Sequence, residues 1–332
     1  MTAFDCRRFL LITFALLSIS PASAASNAFA GNANVGLGDH HETVDVGGLA
    51  RTYIVHVPAG FYGKMKLPAV IMLHGAGGSG EQAIGQTGWS AKGDKDDFLA
   101  VYPDGTPPDP ARPARFLLNP RLWNEGSNRG SPNIKRPDDI AFISAIIDHL
   151  ESAYDADSNR IYVTGFSNGA SMTYRAGVDL SNRIAAIAPV AGNLQFASLN
   201  AAAPVPLLYI VGTQDPLIPL AGGDVKLPWG NVVTQPPVIR SIDAWRQMLG
   251  CGGGQTKLEY DGVKEVEYDQ CAKGGEIVMY TIEGQGHIWP GGGNRLPAQW
   301  VGNPTDKLNA TDVIWEFFKA HPKTVPTASA KR

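Results

Sequence analysis

The segment Gly165-Phe166-Ser167-Asn168-Gly169 directly follows a short apolar run, Arg160-Ile161-Tyr162-Val163-Thr164, and opens a stretch with helical spacing. A serine between two glycines at a strand-to-helix turn is a nucleophile elbow. Larger residues at Gly165 and Gly169 would clash with the neighbouring strand and helix. The turn lifts the hydroxyl of Ser167 above the sheet, to a helix N-terminus whose positive dipole favours developing negative charge. The bland alternative is a glycine-rich turn with an idle serine.

A serine hydroxyl is a weak nucleophile at neutral pH and needs a base. Of seven histidines, His287 stands in Gly284-Gln285-Gly286-His287-Ile288-Trp289-Pro290-Gly291, just after the last strand-like run, where such a base belongs. His40 and His41 fall in the polar start, His56 in a strand, His149 on the polar face of a helix and His321 near the end. Those five read as structural or solvated. The base in turn needs a carboxylate to hold its tautomer. Asp215 follows the apolar run Leu207–Val211 and lies between serine and histidine in chain order. Asp224 on the same loop and Asp243 in a helix are the alternatives.

Leu73-His74-Gly75-Ala76-Gly77-Gly78 follows another apolar run. Its small residues let backbone N–H groups approach a carbonyl oxygen, so Ala76 and Asn168 are the expected oxyanion donors, each worth about 3 kcal/mol in a transition state. A phosphate cradle is the competing reading, but the Lys-Ser/Thr ending of a P-loop and the spacing of a dinucleotide fingerprint are missing. His74 braces this loop. Trp89, Trp123, Trp229, Trp289 and Trp300 fall in predicted loops. Trp123, Phe166 and Trp289, beside the site motifs, are candidate substrate contacts for a flat acyl group or a polyester chain, with loop packing as the alternative. Trp245 and Trp315 have helical spacing and read as core.

The elements that must position these groups alternate. The spacing predicts strands over 51–57, 69–73, 98–102, 161–164, 184–190, 207–211 and 276–282. It predicts helices over 138–151, 168–178, 237–249 and 311–320, with Asn309 as an N-cap rather than a glycosylation acceptor. Short apolar strands separated by helices indicate an α/β fold with a mostly parallel central sheet and helices on both faces. The site then lies at the carboxyl edge of the strands. Three Pro/Gly-rich segments, 103–137, 215–237 and 283–304, are longer than routine connections and gather on that edge.

The chain has 332 residues, 28 Lys+Arg against 31 Asp+Glu, a formal charge of −3 and 44% hydrophobic residues. That composition builds a core and excludes disorder and collagen. Near-neutral charge without a dense basic run speaks against a nucleic-acid partner. Arg7 and Arg8, the apolar run 9–19 and Ala22-Ser23-Ala24 form a signal peptide over 1–24. The run is too short to span a bilayer, although an uncleaved anchor is the rival reading. A mobile segment over 25–44, a single domain over 45–321 and a frayed tail over 322–332 complete the expected organisation. Export leaves Cys251 and Cys271, read as one disulfide, with two buried thiols as the alternative and a metal site disfavoured.

Taken together, the motifs resemble the exported esterases grouped with feruloyl esterases and polyhydroxybutyrate-depolymerase-type hydrolases (carbohydrate esterase family 1-like, within the α/β-hydrolase superfamily). The carrying pieces are Leu73-His74-Gly75, Val101-Tyr102-Pro103-Asp104-Gly105, Trp123-Asn124, Asp138-Asp139-Ile140-Ala141-Phe142, the elbow, Ala188-Pro189-Val190-Ala191-Gly192 and Gly286-His287-Ile288-Trp289-Pro290-Gly291. The resemblance spans about residues 45–320. It implies a Ser–His–Asp esterase without a metal; no cofactor is expected, the expected partner is a small-molecule or polymer ester, and the short apolar run, with no Cys at the cleavage site, predicts no stable membrane anchor. The resemblance also implies the pairing of Cys251 with Cys271. Two departures stand out: Ala76, where many members carry Cys, and a longer Pro/Arg-rich stretch over 106–119. A peptidase or amidase with the same triad, and a non-catalytic polymer-binding protein, are the competing functions. Neither the ester nor the oligomeric state is legible.

Overall fold

A computed structural model describes residues 35–60, 66–127, 137–294 and 296–323. The expected signal peptide lies outside the described residues.

Twelve strands and seven helices follow one another in these segments. In chain order they are β1 (Gly38–Val46), β2 (Leu49–Val57), β3 (Leu67–Leu73), α1 (Gly80–Thr87), α2 (Trp89–Asp96), β4 (Leu99–Pro103), α3 (Asp139–Ala153), β5 (Ala156–Phe166), α4 (Asn168–Asp179), β6 (Ala186–Val190) and β7 (Leu207–Gly212). Then come β8 (Gly223–Lys226), β9 (Val232–Gln235), α5 (Val238–Leu249), β10 (Gln255–Tyr260), β11 (Val263–Tyr268), β12 (Ile277–Ile282), α6 (Ala298–Val301) and α7 (Ala310–Ala320). Ten strands form one sheet in the order β1-β2-β4-β3-β5-β6-β7-β12-β11-β10. The six from β4 to β12 are parallel, and antiparallel hairpins close both flanks. β3, β4, β6 and β7 are buried along their whole length, as strands covered on both faces must be.

The two faces carry different aromatic cores. On one, Phe142 and Ile146 of α3, Met172 and Tyr174 of α4, and Ile242 and Trp245 of α5 pack on the sheet. On the other, Trp89 of α2 and Ile314, Trp315 and Phe318 of α7 do so. Phe318 stacks on Tyr162 with ring centroids 4.6 Å apart. The α7 N-cap is Asn309, whose side chain accepts the Asp312 N–H.

Several expectations are corrected. Residues 38–44, expected to be mobile, form most of β1. Only Val44 of that strand is buried, so its sequence reads as polar, yet a continuous ladder to β2 and the hydroxyl of Tyr154 bonded to Glu42 hold it. His149, expected on a polar helix face, is buried and has the structural role: Tyr53 reaches over from β2 to bond its Nδ1 at 2.5 Å. Trp89 is the first residue of α2 and belongs to the core, not to a loop. At the tail, Lys323 bonds the carbonyls of Asn159 and Asn182, and residues 324–332 lie outside the described segments. The hairpin β10–β11 was not anticipated. β10 is exposed along its length and irregular between Thr256 and Leu258. Its hydrophobic pattern is too weak to announce a strand. Cys251 and Cys271 are joined by a disulfide, 20 residues apart, tying the end of α5 to the loop after β11.

Candidate active site

β5 ends at Phe166 and α4 starts at Asn168, leaving Ser167 alone to make the turn. Its φ of 56° is left-handed, a conformation that costs a non-glycine residue about 1–3 kcal/mol. The surroundings impose it. Ser167 donates its N–H to the carbonyl of Val190 at 3.0 Å. A Cβ at Gly165 would stand 2.5 Å from the Gly169 carbonyl oxygen, and one at Gly169 would run into the carbonyls of Leu73 and His74. The serine makes no side-chain cap bond to α4, so its hydroxyl is left for other partners.

That partner is His287. Its Nε2 lies 2.8 Å from Ser167 Oγ, and its Nδ1 lies 2.8 Å from Asp215 Oδ2. Asp215, just past β7, is buried, and its other oxygen accepts the N–H groups of Leu217 and Ile218, each at 2.8 Å. One carboxylate oxygen is fixed by backbone and the other is left to the imidazole. Asp224 instead bonds Thr234 at the surface, and Asp243 pairs with Arg246 on α5. Phe166 packs its ring 4.7 Å from that of His287. Gln285 was missed in the sequence: it is 1% exposed, donates to the Ile288 carbonyl and accepts from the backbone and hydroxyl of Thr305, which shapes the loop carrying the histidine.

Among the described residues no backbone acceptor takes the Ala76 N–H, whereas Gly77 donates to Arg121 and Gly78 to Gly75. Asn168 opens α4, where first-turn N–H groups lack helical partners. One tryptophan connects the two segments. Trp123 donates its backbone N–H to Asn168 Oδ1 at 2.7 Å and its indole N–H to the His74 carbonyl at 2.8 Å. His74 continues the chain of bonds. Its Nε2 accepts the Gly105 N–H at 2.9 Å, which places the proton on Nδ1, bonded to the Gly75 carbonyl at 2.7 Å. Burial pushes the His74 pKa down to about 4, against the pull of the Gly75 carbonyl and Asp104. This histidine is a neutral brace.

The segment after β4 is anchored by a pair that the sequence did not signal. Arg51 of β2 and Asp139 of α3 meet at 2.7 Å in the interior, and the other Asp139 oxygen accepts the Asn124 N–H at 2.6 Å. Burial raises the pKa of Asp139, opposed by Arg51. Over the site lies a cleft of about 510 Å³ that reaches Ser167, His287, Ala76 and Asn168. Pro107, Pro108, Phe116, Leu227 and Trp229 make an apolar wall, while Asn124, Glu125 and Gln195 are polar. Trp123, Phe166 and Trp289 also line it. The indole N–H of Trp289 is occupied by Thr311 at 3.0 Å, so that residue presents only ring surface.

The sequence of residues 63–226 matches the phospholipase/carboxylesterase family of α/β-hydrolases. A protein of Nocardia uniformis subsp. tsuyamanensis named "putative esterase NocK" is 27% identical over 82% of this chain and 80% of its own length. Feruloyl esterase B of Piromyces equi is 30% identical over 71% of this chain, which spans only 42% of that enzyme. Feruloyl esterase D of Neurospora crassa is 24% identical over 93% of this chain and 96% of its own. In three dimensions the chain superposes on an acetyl xylan esterase from Aspergillus awamori with a TM-score of 0.54 at 15% identity, over 81% of this chain and 94% of that one. With a sheet, an elbow and a serine of this kind, the chain has the α/β-hydrolase fold and is a serine esterase, similar in sequence to the feruloyl and acetylxylan esterases.

Proposed function

We propose that this protein is an exported carboxylic-ester hydrolase of the feruloyl esterase or polyester-depolymerase type. Ser167 is the nucleophile, His287 the general base and Asp215 its orienting carboxylate. The observation that carries the reading is the unbroken line of bonds from Ser167 Oγ through His287 to Asp215, at 2.8 Å each, opening onto the cleft. His287 Nε2 takes the hydroxyl proton as Ser167 attacks the ester carbonyl, and the Asp215 carboxylate stabilises the resulting imidazolium. The N–H groups of Ala76 and Asn168 hold the oxyanion, with the α4 N-terminus adding its dipole. Collapse expels the alcohol, which takes the proton from His287. Water then attacks the acyl-enzyme by the same route in reverse and frees the acid.

The apolar wall of Pro107, Pro108, Phe116 and Trp229 suits a flat or aliphatic acyl group, and the relatives' names point to feruloyl and acetyl esters of plant polymers. Export is supported by the bond between Cys251 and Cys271, since disulfides persist in oxidising compartments. A fluorophosphonate should label Ser167 stoichiometrically in the mature protein. Activity across methyl ferulate, acetylated xylan, hydroxybutyrate oligomers and short nitrophenyl esters then ranks the acyl groups. An unlabelled Ser167, or full activity in Ser167→Ala, overturns the mechanism.

A further inference from the structure

Hydrolysis at Ser167 leaves one buried acid unused. Glu125 follows Trp123-Asn124, lines the cleft and is 7% exposed. Its Oε1 accepts the Ser127 hydroxyl. Among the described residues no lysine, arginine or histidine nitrogen lies within 4 Å of its carboxylate. The two other buried carboxylates of the described chain are matched, Asp139 by Arg51 at 2.7 Å and Asp215 by His287 at 2.8 Å. Arg175 reaches the neighbouring Asn124, but one of its nitrogens is given to the Asn124 carbonyl and another to Asp179 at 3.2 Å.

The rest of the wall makes that charge stand alone. The described residues that line the cleft include no lysine, arginine or aspartate, and Glu125, His74 and His287 are its acid–base groups. Burial keeps His74 neutral, its pKa pushed down to about 4. His287 must be neutral to take the serine proton. The resting cleft therefore carries one formal charge among its described residues, and that charge is negative. A carboxylate withheld from water without a counter-ion is costly to keep, and its field is screened less than it would be at the surface. The field matters here because the opposite preference is built in beside it. The N–H groups of Ala76 and Asn168, with the dipole of α4, hold negative charge during attack. The same donors suit the anion that the reaction leaves behind: ester and water give an alcohol and an acid, and the acid sheds its proton to solvent at neutral pH.

We infer that Glu125 sets the charge selectivity of this site: it admits neutral and cationic esters, turns away anionic ones and drives the carboxylate product out. The inference rests on the ester-hydrolase reading and narrows its substrate class by charge. Glu125 touches no reacting atom in this role and acts through its field. Within a single cleft, at the effective dielectric that suits protein surfaces, one unit of substrate charge changes affinity roughly tenfold. Without Glu125 the oxyanion donors would retain the freed carboxylate, and turnover would slow as product accumulates.

Three butyrate esters of one shape test it. Those of choline, 3,3-dimethylbutanol and isethionate end in tetrahedral heads that are cationic, neutral and anionic. In the wild type kcat/KM should fall in that order, by roughly tenfold or more from the choline to the isethionate ester. Glu125→Gln keeps an acceptor for Ser127 but loses the charge, and should shrink that ratio several-fold. Glu125→Asp keeps the charge and should preserve most of the ratio, which a merely structural role for Glu125 would not do. As a product inhibitor scored against neutral butyramide, butyrate should become several-fold more potent in Glu125→Gln. A wild type that hydrolyses the choline and isethionate esters equally overturns the proposal whether or not the variants fold. A ratio unchanged in Glu125→Gln overturns it too, as does failure to cleave any of the three esters when a fluorophosphonate labels Ser167. Hydrolysis persisting in Ser167→Ala would instead overturn the catalytic reading and leave the charge preference standing.

Discussion

At the scale of single residues, the site separates groups that react from groups that hold. Ser167→Ala should lower kcat by about 10⁴–10⁶, and Asp215→Asn by about 10⁴, because the amide favours the wrong imidazole tautomer. Single-turnover measurements on a nitrophenyl ester read both. Trp123 and Trp289 give a sharper contrast, since both line the cleft but donate to different neighbours. Trp123→Phe removes the bond to His74 beside the oxyanion loop and should lower kcat about tenfold with KM unchanged, a loss of the order of one hydrogen bond. Trp289→Phe loses its bond to Thr311 and should cost about 1 kcal/mol of stability with kcat unchanged. The convergence of Ser167, Asp215 and His287 was legible because each stands in a local motif after a strand. The roles of Trp123, Gln285 and the Arg51–Asp139 pair were not, since their partners are up to 88 positions away and no spacing rule reports such a contact.

At the scale of elements, the parallel centre of the sheet was legible from apolar runs, and four helices from their spacing. What escaped were elements without a hydrophobic signature. β1 and β10 lie at the edges and bury almost nothing, and β8 and β9 lie inside what reads as a Pro/Gly loop. His149 takes its structural role on a buried face rather than a polar one, because α3 is covered on more of its circumference than an amphipathic helix needs to be. The disulfide belongs to this scale too. It fixes the end of α5 against the loop after β11, away from the cleft. Replacing both Cys251 and Cys271 by serine should cost about 3 kcal/mol, the loop-closure value for a ring of this size. Urea midpoints of oxidised wild type and the double variant measure it, and kcat at low temperature should be unchanged.

Across the whole molecule, one buried base should leave its mark on stability. His74 is neutral in the folded protein down to pH about 4, whereas an unfolded histidine takes its proton near 6.5. Between those values the unfolded chain binds the extra proton, so stability falls as the pH drops through this window, by up to about 3 kcal/mol. Urea midpoints from pH 7 to 4.5 should show this slope in the wild type, and it should be shallower by about one proton in His74→Asn. The sheet itself has a consequence for how copies of the molecule treat one another. β10 ends the sheet, and a bare strand flank is a template on which a second chain can add. Here Lys257 and Glu259 punctuate it, and the irregularity between Thr256 and Leu258 breaks its straightness. A strand laid alongside would strand those charges and meet a kinked rail. Warmed and concentrated, the folded protein should therefore resist fibre growth from that side, and Lys257→Val with Glu259→Val would remove the guard.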